Sequence, residues 1–139
     1  MVGMMIDIGK YSAYFHDGAV IEIQHKDDEI TLSLESAEMD LSEIQDNIQL
    51  SELSTIIGKL HLSGVKSIQI NDVFFSGRLS LKYDSGNIFD LEIKKNKVEI
   101  ALIWENFPPK PAVNDFSTII IQADHIWWET IPDLFDPFC

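Results

Sequence analysis

The sequence predicts a mainly β fold: an antiparallel meander of about eight strands forming a β-sandwich or a strongly curled sheet. Three observations predict it. Apolar and polar residues alternate at period two in run after run, the mark of strands with one dry face. Turn-forming residues separate those runs at short intervals. The 139 residues are 45% apolar, enough for one core and one domain over 1–139, and no run approaches the ~20 residues of a spanning helix.

Taken in order, Met1 to Asp7 lacks the basic stretch of a secretory leader. Asp17-Gly18 supplies a bend into a strand at Ala19 to His25, where Ile21 and Ile23 alternate with Glu22 and Gln24. Asp27-Asp28 turns the chain into Ile30, Leu32 and Leu34, which alternate with Thr31, Ser33 and Glu35. Leu41, Ile44, Ile48 and Leu53 sit near helical spacing, so at most one short helix is expected near 38–53. A loop leading into a strand at Ile48 to Leu50 is the alternative. Leu60 and Leu62 form the next strand, Ser63-Gly64 a turn, and Ile68 and Ile70 the strand after it.

Leu79, Leu81 and Tyr83 alternate with Ser80, Lys82 and Asp84, and Asp84-Ser85-Gly86 reads as a turn. Phe89, Leu91 and Ile93 share one face, and Lys95-Asn96 makes a two-residue connection to Val98, Ile100, Leu102 and Trp104. Phe107-Pro108-Pro109-Lys110-Pro111 cannot pair in a central strand, because proline donates no backbone hydrogen bond. It is expected to cross between sheets or along an edge. Ser117 to Glu129 is the last strand, apolar on both faces for part of its length.

The net charge is −13, from 23 acidic and 10 basic side chains. That balance excludes a general nucleic-acid binder, which needs Lys and Arg to neutralise phosphates, and it opposes docking on anionic membrane. Residues 1–52 hold 12 acids and 2 bases, residues 53–104 hold 5 and 7, and residues 105–139 hold 6 and 1. If the two flanks meet in space, they make an acidic surface that steers a basic partner. The single cysteine, Cys139, allows no intrachain disulfide, which favours a reducing, cytoplasmic setting.

Tyr14-Phe15-His16-Asp17-Gly18 is the most site-like cluster. His16 beside Asp17 has the chemistry of a general base or a metal ligand, and equally of a structural corner. His25, His61 and His125 show no metal-ligand spacing, so no metal or other cofactor is expected. His125 falls on the face of Ile119, Ile121, Ala123 and Trp127, and His61 on a polar one. No Gly-x-Ser-x-Gly elbow, phosphate loop or dinucleotide fingerprint is present, which disfavours an enzyme. In Ile126-Trp127-Trp128-Glu129 the two indoles must face opposite ways along a strand. If Trp127 fills the core with Ile121, Trp128 lies outward as a recognition residue, unless Leu134-Phe135-Asp136-Pro137-Phe138 covers it. Trp104 and Phe107 extend the same aromatic group.

The Phe15-His16-Asp17-Gly18 opening before a strand, the acidic hairpins and the Trp-rich last strand resemble small bacterial β-rich proteins. They resemble in particular immunity proteins of polymorphic toxin systems. Such proteins act by stoichiometric binding, so the resemblance implies a binding role and supplies no catalytic residue.

The expected function is therefore a non-enzymatic inhibitor or immunity-like partner of a basic protein. It would use Asp27, Asp28, Glu29, Glu35 and Glu38 around an aromatic anchor, Trp128. The first alternative is a small-molecule or carbohydrate-binding β-sandwich, with Trp128 and Trp104 as stacking platforms. The second is a metal-assisted hydrolase around His16 and Asp17. The chain is expected to be a monomer, or a homodimer through an edge strand.

Overall fold

The alternating runs become seven strands in a computed structural model, which describes residues 7–40, 42, 44 and 48–134. A 3₁₀ helix, Ile8–Phe15, precedes β1 (Ala19–Lys26) and β2 (Glu29–Glu35). Then come β3 (Ile57–Ile70), β4 (Val73–Phe74), β5 (Ser85–Ile93), β6 (Lys97–Glu105) and β7 (Phe116–Thr130). All pairings are antiparallel, in the order β2-β1-β5-β6-β7-β3-β4. A further pairing of β2 with β3 closes six strands into a barrel and leaves β4 attached at the side.

The mainly β, antiparallel character is as expected, but two packed sheets do not form. The single sheet curls until it meets itself. Two features bring this about. β3 and β7 are 14 and 15 residues long, so β3 pairs β2 along its first half and β4 at its end while β7 follows it throughout. Register shifts at Val20/Glu22, Val65/Ser67 and Ile88/Asp90 add the local twist that closure needs.

Several local expectations change with the barrel. The runs around Leu60 and Ile68 are one strand, and Ser63-Gly64 lies within it, just before a bulge at Val65/Ser67; Gly64 has φ +65°. Leu79 to Tyr83 alternates but pairs with no strand. It is an extended segment crossing one barrel end, with Leu79 buried beneath it. Asn71-Asp72, both at positive φ, form a hairpin turn to β4 that was not expected. A 3₁₀ helix that was not expected forms at Ile8–Phe15; near 38–53, Ser42 takes 3₁₀ conformation, 48–50 are irregular, and residues 41, 43 and 45–47 lie outside the described residues. The turns at Asp27-Asp28 and Lys95-Asn96 form where expected.

Side chains fill the barrel. Val20, Ile30, Leu34, Leu60, Leu62, Ile88, Val98, Leu102 and Ile121 are almost wholly inaccessible. The end formed by the starts of β1, β3 and β6 is plugged by the 3₁₀ helix. Phe15 there meets Trp128 edge to face at 5.8 Å, with Ile8, Tyr11, Met39, Ile48 and Ile56 also buried. At the other end the crossing segment is pinned by the Leu79 N–H, which donates to His25 Nδ1 at 2.8 Å. The Pro-rich segment, residues 107–111, joins β6 to β7 outside any strand. It is held by Asp84, which accepts from the Phe107 N–H and pairs with Lys110.

Candidate functional site

The Phe15-His16-Asp17-Gly18 corner is built to join helix to barrel. Phe15 plugs the core, and Asp17 takes φ 68° while its N–H donates to the Ile88 carbonyl. Gly18 lies against the Glu35 carbonyl, where any Cβ would overlap it. His16 Nδ1–H donates to the Phe89 carbonyl, and its Nε2 stands 3.7 Å from Asp17 Oδ1 on an exposed surface. Every residue of the motif thus has a structural task. Among the described residues no third His, Cys, Asp or Glu joins His16 and Asp17 to form a group that could hold a metal.

The two indoles are placed opposite to expectation. Trp128 points inward and is buried, its Nε1–H donating to Thr130 Oγ1 at 2.7 Å. Trp104 is also buried, donating to Ser117 Oγ at 2.8 Å. Neither is a surface anchor or stacking platform. Trp127 is the outward indole, 41% exposed. The reversal comes from a change of inward face along β7. Ile119, Ile121 and Ala123 point in, then Asp124 and His125 are both exposed beside Ser63-Gly64 of β3, and Trp128 resumes the core. His125 is accordingly a surface residue. The adjacent polar pair Asp124-His125 is the signal in the sequence that could have revealed this. The tail at 135–138, the candidate cover for Trp128, and Cys139 lie outside the described residues.

The acids do not form one cluster. Asp27, Asp28 and Glu29 lie exposed at the β1–β2 turn, whereas Glu35 ends β2 and Glu38 follows it, about 20 Å along the strand. Glu35 accepts a hydrogen bond from Thr55 Oγ1 at 2.7 Å. The acidic flanks meet only in part: β3, carrying Lys59 and His61, separates β2 from β7, whereas Phe15 of the first flank touches Trp128 of the last.

What the barrel does assemble is an apolar patch on the outer face of β5, β6 and β7. The register shift at Ile88/Asp90 leaves Phe89 outward at 52% exposure, although its alternation with Leu91 and Ile93 suggested the core. Ile103 interrupts the polar face of β6 and pairs directly with Phe116 of β7, both exposed. The Phe89 and Phe116 rings meet edge to face at 6.3 Å, and His16 meets Phe89 likewise at 5.6 Å. Ala101, opposite Asp90 and Thr118, keeps the strand between the rings low. Asp17, Asp90 and Glu105 are exposed around this patch. Asp115 beside it is held below the usual carboxylate range, first by the Lys82 ammonium bonded to it at 2.6 Å.

A second outward group lies on β2, β3 and β7. Trp127 stacks on His61 at 4.0 Å and 18°. His61 Nε2–H donates to Glu129 at 2.8 Å, and its Nδ1 accepts from Thr31 Oγ1 at 3.3 Å. The ring is thereby fixed as a flat support beneath the indole.

Among the described residues, no helix is long and apolar enough to cross a membrane. No protein-family model, curated protein or solved structure matches the chain.

Proposed function

We propose that this is a non-enzymatic binding protein that docks a basic protein on the outer face of β5, β6 and β7, in the manner of a stoichiometric inhibitor or immunity protein acting in the cytosol. The supporting observation is the contiguous Phe89, Ile103 and Phe116 patch bordered by Asp17, Asp90 and Glu105. Isolated exposed apolar residues are ordinary, but three in contact across neighbouring strands are a recognition feature. Aromatic anchors contribute affinity, and surrounding carboxylates steer a cationic partner and reject acidic ones. The barrel interior is filled by side chains, so binding belongs to the outside. Closure gives each of the six barrel strands a neighbour on both sides, although β1 and β5 share only two pairs, and the chain acts as a monomer toward its partner.

The test is capture from host lysate at low salt by the parent, by a Phe89→Ser/Ile103→Ser double variant and by Trp127→Ser. One basic protein retained in equal amount by the parent and Trp127→Ser, and lost from the double variant, supports the reading. Its association rate should fall as salt rises. Retention unaffected by the double variant, or no basic protein retained at all, refutes it.

A carbohydrate-binding reading survives only on Trp127, whose exposed face is backed by His61 and flanked by Glu129. Sugar-dependent quenching of indole fluorescence that disappears in Trp127→Phe would favour it over the protein-docking reading.

A further inference from the structure

Four of the ten basic side chains of this acidic protein surround one hollow of about 460 Å³. Lys94 and Lys95 come from the β5–β6 turn, Lys97 from the first position of β6, and Lys66 from β3 across the intervening β7. Gln122, Ala123 and Asp124 form the floor. We propose that this hollow binds a small polyphosphate group, at a site independent of the apolar patch. The two are separated by the length of β6, since Ile103 lies six residues from Lys97, about 20 Å.

Two separate irregularities of the fold converge on the hollow. In β3, Lys66 is the extra residue of the bulge between Val65, opposite Ala123, and Ser67, opposite Gln122. A bulge of this kind re-aims a side chain. Gly64 makes it possible, with φ +65° and Asp124 packed where a Cβ would stand, 2.6 Å from Oδ2. Asp124 in turn holds Lys66 at 3.4 Å.

On the other side, the β5–β6 turn is latched to β7. The Asn96 Nδ2–H₂ donates to the Ala123 and Asp124 carbonyls at 3.2 and 3.0 Å, and the Ala123 N–H donates to the Asn96 carbonyl at 3.0 Å. The lysines are thus presented from a fixed turn, and less order is lost when an anion is gripped.

The charge pattern favours a ligand over solubility as the reason. Stability would spread cations among the 23 acids, whereas four ammonium groups around one hollow repel each other. The acids facing them are Glu92, which holds Lys94 at 3.0 Å, Asp124, and Glu99 near Lys94. Among the described residues, Lys95 and Lys97 have no carboxylate within ion-pair distance. They supply the charge that a ligand would neutralise. The −13 net charge selects for size. At physiological salt the protein's field decays over about 8 Å, so a compact polyphosphate feels mainly the lysines while a long polyanion meets the surrounding acids.

The experiment is a titration of the isotope-labelled full chain with inorganic triphosphate and, separately, with ATP, followed by amide chemical shifts. Shift changes should concentrate on residues 66, 94–97 and 122–124, and Lys95→Ala/Lys97→Ala should weaken binding by about tenfold or more. The control pair Lys26→Ala/Lys59→Ala should leave it unchanged. Tighter binding of ATP assigns a nucleotide, and equal or tighter binding of triphosphate assigns the bare chain. Shift changes absent from the hollow, or weakened equally by the control pair, overturn the proposal.

Discussion

Replacing each indole of the Trp127-Trp128 pair by alanine separates the observed face of β7 from its reverse. Trp128 is 9% exposed, its Nε1–H is bonded to Thr130, and its ring edge meets Phe15 and overlies Gly58. Truncation leaves a cavity at the plugged barrel end and removes a satisfied polar group with its surroundings intact. Such a change costs about 3–5 kcal/mol, a large share of the ~5–15 kcal/mol that holds a domain of this size. The melting temperature should fall by roughly 10–15 °C. Trp127 is 41% exposed and rests on the outside of the barrel, so its removal leaves no cavity and forfeits mainly the stack on His61, about 0.5–1.5 kcal/mol.

Urea unfolding of Trp127→Ala and Trp128→Ala measures the difference. Acrylamide quenching gives an independent reading, and a neutral quencher is needed because the −13 charge would repel iodide. The quenchable emission should vanish in Trp127→Phe and persist in Trp128→Phe. Equal losses of stability, or quenching that tracks Trp128, would refute the assigned face.

Gly18→Ala should be strongly destabilising in thermal melts, because the new methyl overlaps the Glu35 carbonyl at the first pairing of β1 with β2. His25→Ala removes the acceptor of the Leu79 N–H and should cost about 1–3 kcal/mol, with faster amide exchange at Leu79. Asp84 is held below its ordinary value, first by the Lys110 ammonium and then by the Phe107 N–H. A lowered carboxyl stabilises the fold above its unfolded value and loses that contribution as pH falls through the folded one. Acid should therefore loosen the connection between β6 and β7 below about pH 4, and Asp84→Asn should remove that part of the pH dependence, as read by amide exchange from 106 to 115.

The apolar rows that announce β2 and β6 face the core as read, since Ile30, Leu32 and Leu34, and Val98, Ile100, Leu102 and Trp104, are all buried, although Ser33 of the β2 polar row is buried too. Period two records which residues share a face, but not how many strands one run makes. Ser63-Gly64 carries the chemistry of a turn, and only the continuous partner β7 keeps it inside one strand. Phe89 shares a face with Leu91 and Ile93 by alternation, and Trp127 with Ile121, yet both point outward for the same reason. A register shift reverses every residue beyond it, and it depends on the neighbouring strand. The surface patch was therefore illegible as a patch, although Ile103 stood out on an otherwise polar face. The corner at residues 15–18 was legible as a bend, and its further meaning required knowing that Phe15 is a plug.

The barrel's two seams are unequal. β1, β2 and β3 form one three-stranded leaf and β5, β6 and β7 another. The leaves share a long spine from Gly58–Thr130 to Ile70–Ile119, but on the far side β1 meets β5 only at Ala19–Asn87 and Val20–Gly86. That short seam is fastened by the Ser85 hydroxyl on the Val20 carbonyl and by the helix corner, where Gly18 and Asp17 bond Ile88. Opening should therefore follow that of a book, the pages parting along the short seam while the binding holds. Amide exchange should be slowest along β3 and β7 and fastest where β1 leaves β5. The residues before Ala19 then serve as a clasp, and the apolar patch, which includes His16 and Phe89, sits on the hinge of that clasp. A partner bound there would hold the book shut.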